Sequence, residues 1–402
     1  MPKTPHPSAD PDTDLPQASV ITCEVPGTFA WGVLHERHPA LIRKIRDAFP
    51  LPAENLERLA ALLEEATGGV VEPLGEHAHD HRSWQTWGMA DHVGTPWSHL
   101  PFLWAESYFY RRLLEAWGYF APGPWQGVDP FAPFKRAELF DTETTYEVQA
   151  LDTLADLDPQ ERGNALLQSS VWGNRADLSF QILAESADSP AQVSELVVDH
   201  SESLWELLDN RSGGRVCLVA DNAGRELLPD LVLIDELLTT ARASEVVLHI
   251  KSHPYYVSDA TMVDVLDCLR HLCGAQGTAQ RVGARLWRAM EQGRLHVRAH
   301  AFSCAPLPYR DMPEDLAEDF ATACLTIMKG DLNYRRLVGD RYWPATTPFE
   351  AVTAYFPGPV VALRTLKSDV VVGLEQNTVT TLDDSGLEWR TSGTHALVQL
   401  RE

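Results

Sequence analysis

Residues 215–238 constrain the fold most, because a strand, a tight turn and a helix follow one another there without interruption. Residues 216–220 are almost wholly apolar, as expected of a strand buried on both faces. A polar turn follows at 221–224, and large aliphatic residues then recur at spacings of three and four, which predicts a helix. This order is the first half of a βαβ unit. Ligands of open α/β sheets bind outside the carboxyl ends of the strands, where Asp221 and Asn222 would lie.

Four more apolar runs alternate with helical patterns in the second half of the chain. The predicted strands are 216–220, 245–251, 295–299, 323–328 and 360–365, and the predicted helices between them are 225–242, 259–273, 280–291 and 314–322. Alternation of this kind requires a parallel sheet with helices on both faces. We therefore expect an α/β fold with a mostly parallel sheet, a Rossmann-like three-layer α/β/α sandwich.

The chain divides into three parts by composition. Residues 1–20 are polar and rich in proline, which predicts a disordered tail and excludes a signal peptide. Residues 21–210 form a mainly helical N-terminal region, and residues 211–402 form the α/β domain. The tail at 378–400 is interpreted as a C-terminal β-hairpin, with a turn at 383–386.

The strongest apolar helix of the N-terminal region, 100–120, carries charged residues within an aromatic surface. Because buried charges are paired or functional, Glu106 and Arg111 either close the site over the sheet or pair with each other. The many tryptophans nearby are interpreted as core packing. The histidine-rich segment 76–81 is interpreted as a solvated loop rather than a metal site.

Charge and composition exclude several partners. The 402-residue chain has a formal net charge of −24, which argues against binding to nucleic acid. No apolar run approaches the ~18 residues of a membrane helix, so no membrane partner is expected. The six cysteines form no CxxC pair and suit reduced thiols in the cytoplasm. The sequence does not indicate an oligomeric state.

Polar clusters follow the predicted strands and suggest a reaction class. Asp221, Asn222 and Asp259 offer hard oxygen ligands that suit Mg²⁺ or Mn²⁺. Arg335 and Lys367 offer positive charge for a phosphate group. A divalent ion beside such cations is what phosphoryl transfer or hydrolysis needs. Capping of the following helices is the alternative for each cluster alone, and the absence of G-x-G-x-x-G and Walker motifs disfavours dinucleotide and P-loop binding.

Several long segments stand in an order that is typical of one known family. They are FAWGVLHERHP (29–39), PWSHLPFLWAESYFYRRL (96–113), WGNRADLS (172–179), DNAG (221–224), HPYYVSD (253–259), KGDLNYRRL (329–337) and RTLKSDVVVGL (364–374). These segments resemble the metal-dependent damage-control phosphatases (domain of unknown function 89). The nearest subfamily is marked by an R-T-x-K motif and was once described as acidic residue methyltransferases. The resemblance therefore extends from about residue 25 to the C-terminus. The chain departs from the family pattern at Ala223 and at the aromatic pair of 253–259.

The resemblance implies an enzyme, a phosphoric monoester hydrolase that acts on small sugar phosphates of the fructose 1-phosphate or fructose 6-phosphate type. It implies one divalent metal, with Mn²⁺ the first expectation and Ni²⁺, Co²⁺ or Mg²⁺ the alternatives. The residues that match the metal ligands and catalytic groups are Asp221, Asn222 and Asp259. Those that match the phosphosugar contacts are Asp331, Leu332, Asn333, Tyr334, Arg335 and Lys367.

Five other residues are expected to support this site. Asn174 and Asp177 orient the ligands or cap a helix, and Glu106, Arg111 and Arg364 lie around them. The nucleophile is a water molecule or a carboxylate such as Asp221. Two other functions stay open: a protein carboxyl methyltransferase that uses S-adenosylmethionine, and a non-catalytic sugar-phosphate binding protein. The first would need a glycine-rich loop, whereas 221–226 contains a single glycine.

Overall fold

A computed structural model describes residues 17–173 and 195–402. Its strands are β1 (Glu195–Asp199), β2 (Gly214–Val219), β3 (Ala243–Ile250), β4 (Leu295–Ala299), β5 (Leu325–Lys329), β6 (Val360–Thr365) and β7 (His395–Arg401). They form one seven-stranded sheet in the order β1-β7-β6-β5-β2-β3-β4. All neighbouring strands are parallel except β6 and β7, which are antiparallel.

Helices account for most of the remaining described residues. The α-helices before β1 are Phe29–Gly32, His38–Ala48, Ala53–Gly68, His81–Thr86, Met89–His92, Phe102–Trp117, Ala132–Leu139, Thr142–Leu154 and Pro159–Trp172. Those after β1 are Ser201–Asn210, Leu227–Thr239, Met262–Gly274, Gly277–Glu291, Glu314–Ala321, Gly330–Val338, Phe349–Val352 and Gln376–Asp384. Short 3₁₀ helices lie at Trp97–His99, Ala301–Cys304 and Tyr309–Asp311, and a π-helical turn lies at Val33–Arg37. None of the helices in the described ranges is both long and apolar enough to cross a membrane.

Alternate residues of β2 belong to two different cores, one on each face of the sheet. Val216 and Leu218 pack with the helices Leu227–Thr239 and Gly277–Glu291, whereas Cys217 and Val219 belong to the core shared with the aromatic N-terminal helices. Because side chains of a strand alternate between faces, this places helices on both sides of one central sheet. The expected α/β/α fold is confirmed, and the N-terminal helices are continuous with the core of the sheet.

The five predicted strands are all present, but β1 was not predicted, and β7 was predicted only as part of a hairpin. β1 precedes the expected domain boundary at residue 211, so the sheet takes a strand from the region predicted to be helical. The expected hairpin at 378–400 is wrong: Gln376–Asp384 is a helix, whose Leu382 is buried. β7 pairs with β6 and β1, which are distant in sequence, rather than with a local partner.

The N-terminal elements agree in most details with what the sequence predicts. Asp158 caps Pro159–Trp172, since its side chain accepts hydrogen bonds from the backbone N–H of residues 160 and 161. Trp84, Trp97 and Trp117 are fully buried, as the core interpretation predicts. Of the expected disordered tail 1–20, residues 1–16 lie outside the described ranges. The described remainder is ordered by contacts with residues 341 and 342, including an antiparallel bridge from Val20.

A buried ion cluster joins the N-terminal helices to the sheet. Arg335, on the helix that follows β5, donates to Glu106 at 3.1 Å and to both carboxylate oxygens of Asp340 at 2.8 and 3.0 Å. Its guanidinium also lies 4.4 Å from the ring centroid of Phe102. Because these carboxylates are almost completely buried, they depend on Arg335 for compensation of their charge.

We expect Arg335→Met to lower the free energy of unfolding by about 3–5 kcal/mol, since two buried carboxylates lose their cation. Arg390→Met is the matched control, because Arg390 pairs with Asp383 at the surface, where such pairs contribute about 1 kcal/mol or less. Urea denaturation of the two variants measures the difference. Equal losses in both variants would contradict this role of Arg335.

Candidate active site

The site lies where the order of the sheet reverses. β2 is flanked by β3 on one side and β5 on the other. After β2 the chain adds β3 and β4 on one side, and it then crosses to the other side of β2 to add β5. A crevice opens at the carboxyl ends of two such strands because their connections diverge. Asp221 and Asn222 follow β2, and Asp331 follows β5.

The loop after β3 brings the third expected ligand to the end of β2. Asn222 and Asp259 form an isolated antiparallel bridge. The backbone N–H of Ala260 donates to the carbonyl of Asp221 at 2.8 Å, and the Ser258 hydroxyl donates to Asn222 Oδ1 at 2.6 Å. Asp221, Asn222 and Asp259 are therefore brought together, as the sequence predicts.

Both carboxylates are out of water. Asp221 is 8% exposed and Asp259 is 2% exposed. Burial, with the negative charges of Asp259 and Glu226 adding to it, raises the pKa of Asp221 well above its ordinary value. Burial also raises the pKa of Asp259 to about 6, although Lys251 opposes the shift.

The helix after β5 begins very close to Asp221. Gly330 has φ +81°, a left-handed conformation that favours glycine. A Cβ atom at this position would overlap the Asp221 carboxylate. Glycine is thus required at the start of this helix, because the backbone there lies directly against the Asp221 carboxylate.

The chemistry of these side chains fits a divalent cation. Asp259 Oδ2 is buried and faces Lys251 Nζ at 3.3 Å, and no residue in the described ranges forms a hydrogen bond with it, so it is an acceptor with unused capacity. Within 17–173 and 195–402 there is no group of three or more His, Cys, Asp and Glu residues arranged to hold a metal. A site here therefore uses an amide, Asn222, beside the carboxylates of Asp221 and Asp259, a donor set typical of hard cations.

Two residues near the ligands were not assigned from the sequence. Glu226 Oε2 accepts from the Asn222 amide at 2.9 Å, which fixes the direction of that side chain. Lys251 supplies the positive charge nearest to Asp259. The spacing of four residues from Asn222 to Glu226 across the start of a helix is the one signal that could have indicated Glu226.

Lys367 is the predicted phosphate contact that stays accessible. Its side chain is 42% exposed and its Nζ lies 3.4 Å from Glu226 Oε1. Burial alone would lower the pKa of Lys367, but Glu226, Asp221 and Asp331 raise it above the ordinary value, so the ammonium stays charged. The side chain can therefore move from Glu226 to an incoming anion.

Asp331 lies at the same edge and is held by the R-T-x-K motif. Arg364 is fully buried, and its Nε donates to Asp331 Oδ1 at 3.0 Å. The Ser368 hydroxyl donates to the same oxygen at 2.9 Å. Burial would raise the pKa of Asp331, but Arg364 and Arg335 hold it below the ordinary value. Asp331 is thus ionised, and Arg364 orients it.

Three other residues predicted to contact substrate are buried instead. Leu332 is a core residue. Asn333 donates to the carbonyls of Ala220 at 3.1 Å and Lys329 at 2.8 Å, so it joins the ends of β2 and β5. The Tyr334 hydroxyl donates to Gln399 at 2.9 Å inside the core. These contacts favour a structural role for all three residues.

The charged pairs of the N-terminal helix also differ from expectation. Arg335 is 3% exposed and is neutralised by Glu106 and Asp340, so its contacts favour a structural role over a phosphate contact. Glu106 and Arg111 do not pair with each other, because Arg111 donates to both carboxylate oxygens of Asp80 at 2.7 Å. Asp80 belongs to the histidine-rich segment, which this pair fixes to the helix.

Asn174 and Asp177 lie outside the described residues, so their predicted support of the ligands stays a prediction.

Comparison with known proteins gives a consistent result. Residues 33–382 match the family model described as the damage-control phosphatase ARMT1-like domain. The chain belongs to this family. It is 30% identical to damage-control phosphatase ARMT1 of Danio rerio over 96% of this chain and 97% of that protein. It is 30% identical to the Mus musculus protein, over 93% and 96% of the two chains.

The Homo sapiens ARMT1 is 32% identical over 75% of each chain. A crystal structure of a DUF89 family protein from Pyrococcus horikoshii superposes with a TM-score of 0.47 at 15% identity, covering 88% of this chain and 94% of that chain. As a damage-control phosphatase, the protein is a phosphoric monoester hydrolase that acts on a small-molecule phosphate. Damage-control phosphatases are generally metal-dependent.

The raised carboxylate pKa values predict an unusual pH dependence of stability. A carboxyl group with a raised pKa in the folded state contributes most stability below its unfolded pKa, 3.8, and loses it as pH rises through its folded pKa, about 6 for Asp259. Metal-free Asp221→Asn should therefore be more stable than the unsubstituted protein at pH 8 by about 1–3 kcal/mol, because one desolvated charge is removed.

This gain should shrink as pH falls toward 4, where Asp221 is protonated. Scanning calorimetry in EDTA from pH 4 to pH 8 measures it. Asp384→Asn, at an exposed position of the helix Gln376–Asp384, controls for the loss of one negative charge. If Asp221→Asn lowers stability at every pH, the carboxylate is stabilised by contacts and the argument from burial is wrong.

Proposed function

We propose that this damage-control phosphatase hydrolyses a small sugar phosphate of the fructose 1-phosphate or fructose 6-phosphate type. Asp221, Asn222 and Asp259 would hold one divalent metal, Mn²⁺ first, with Ni²⁺, Co²⁺ and Mg²⁺ as alternatives. A bound cation would supply positive charge that polarises a phosphate oxygen. The observation that carries this proposal is the convergence of two buried carboxylates and an amide at the reversal point of the sheet.

Two further residues support a phosphate ester as the substrate. Lys367 holds an accessible positive charge beside the ligands and would neutralise the transferred phosphate group. Asp331 is ionised and fixed by Arg364 at the same edge, and it would accept hydrogen bonds from sugar hydroxyls. Arg335 would act indirectly in this scheme, since it holds the helix that begins with Gly330 and Asp331.

The geometry also bears on the two other functions that the sequence leaves open. An adenosine pocket would need a glycine-rich first turn, where no side chains block the approach to the backbone. The turn after β2 instead carries the side chains of Asn222 and Glu226, which are hydrogen-bonded to each other. A sugar-phosphate binding protein without activity would use the same residues, and only release of phosphate distinguishes it from an enzyme. Neither alternative has an observation of its own in its favour.

Release of inorganic phosphate from a panel of sugar phosphates tests the reaction. The protein is assayed in EDTA and after addition of Mn²⁺, Co²⁺, Ni²⁺ or Mg²⁺. We expect release only with a metal, and we expect Asp221→Asn to lower kcat by about 10³-fold or more, because a charged ligand is lost. Binding of a sugar phosphate without release, by protein shown to be folded, would replace this proposal by the non-catalytic function.

A second prediction concerns the accessible cation. Lys367→Met should lower kcat/KM by about 10²-fold because the phosphate loses a positive charge, whereas Lys367→Arg should retain a larger part of the activity. The melting temperature should change little in either variant, since the side chain is partly exposed. Lys44→Met, at an exposed position, is the matched control. Unchanged kcat/KM in Lys367→Met would remove this residue from the site.

A further inference from the structure

Two consecutive residues just before Asp259 have a strained backbone. Tyr256 has φ +44° and Val257 has φ +67°, both in the left-handed region. Residues other than glycine rarely adopt this conformation, and a β-branched residue such as valine does so least readily. Among the described residues only Ala241 shares a positive φ without being glycine. Strain of this kind persists only where surrounding contacts impose it.

The contacts that impose it come from the aromatic helix Phe102–Trp117. The Tyr256 ring stacks on Tyr110, with centroids 4.9 Å apart and planes 27° apart. Its hydroxyl lies 3.2 Å from the hydroxyl of Ser107. The centroid of the Tyr255 ring lies 4.6 Å from that of the Tyr256 ring. The side chain of the first strained residue is thus held at its ring and at its hydroxyl.

The residues directly after the strained pair make the bonds that assemble the ligand set. The carbonyl of Ser258 accepts from the backbone N–H of Ala223 at 2.6 Å, and its hydroxyl donates to Asn222 Oδ1 at 2.6 Å. The backbone N–H of Ser258 in turn donates to the carbonyl of Tyr256 at 2.8 Å. A relaxed conformation at 256–257 would change the chain direction and break these bonds.

We propose that Tyr256 and Val257 form a positioning turn, strained and held closed by Ser107 and Tyr110, which fixes Ser258 and Asp259 against Asn222. The inference rests on the proposed metal site. It assigns to the N-terminal helical layer a part in metal binding, although Ser107 and Tyr110 are not themselves ligands. The simpler alternative is an ordinary turn whose positive φ values have no effect on the site.

Glycine and alanine at position 257 test the strain directly. Both substitutions remove the two γ-methyl groups of valine, but only glycine also lacks Cβ and adopts a positive φ without cost. In EDTA, Val257→Gly should therefore melt at least about 1–2 °C above Val257→Ala. At an ordinary position the order is the reverse, because glycine loses more conformational freedom on folding. A lower melting temperature for Val257→Gly would overturn the proposal.

A rescue experiment tests the positioning role. Tyr256→Ala removes the stacked ring and should weaken Mn²⁺ binding, measured by calorimetric titration, by about 10-fold, because the turn is no longer held in the binding conformation. Adding Val257→Gly to Tyr256→Ala should restore most of the Mn²⁺ affinity, since the left-handed turn then needs less support. Tyr256→Phe keeps the stacked ring but removes the hydroxyl contact with Ser107, so it should weaken Mn²⁺ binding by about 3-fold, less than Tyr256→Ala does.

Kinetics separate this role from general destabilisation. kcat for phosphate release at saturating Mn²⁺ should recover in Tyr256→Ala, whereas the Mn²⁺ concentration for half activity should stay raised. Suppose that the unsubstituted protein binds Mn²⁺ and releases phosphate, but Val257→Gly does not restore the Mn²⁺ affinity of Tyr256→Ala. This result would overturn the positioning turn alone. No Mn²⁺ binding by the unsubstituted protein would overturn the proposed function as well. If Tyr256→Ala does not fold, Ser107→Ala with and without Val257→Gly replaces it.

Discussion

Two carboxylates lie side by side out of water at the carboxyl edge of a parallel sheet, and the surrounding structure is arranged to keep them there. The free energy that favours their protonation is the same free energy that a cation would recover on binding. Backbone hydrogen bonds to Asp221 and Ser258, the Lys251 ammonium and the close approach of Gly330 each hold one part of this acidic centre. Such an arrangement is unfavourable for folding alone, which is characteristic of functional sites.

Arginine and lysine serve different purposes in this structure. Arg335 and Arg364 each neutralise aspartate within the protein, at Asp340 and Asp331 respectively. Their guanidinium groups carry several directed hydrogen bonds, which suits fixed pairs better than mobile contacts. Lys367 has a flexible stem and one point charge, and it is the cation that stays accessible. In this enzyme the arginines organise the crevice, and the lysine meets solvent.

The sequence predicted the central strands, and the proximity of Asp221, Asn222 and Asp259 at their ends, because these signals are local. An apolar run followed by Asp221 and Asn222 indicates a strand end, whatever the rest of the chain does. β7 could not be predicted in the same way, because its partners β1 and β6 are distant in sequence and its neighbourhood looked like a hairpin. The role of Arg335 was missed for a related reason: its partner Glu106 is far away along the chain, and neither residue indicates the other.

The position of β7 has a consequence for how the chain folds during synthesis. β7 lies between β1 and β6, and β1 stands at the edge of the sheet with β7 as its neighbour. The paired residues of β1 and β7 are roughly 200 positions apart. At ribosomal rates of about 5–20 residues per second, β1 waits roughly 10–40 s for its partner. During that interval its backbone N–H and C=O groups lack their partner strand, so β1 can pair with other chains until β7 has been synthesised.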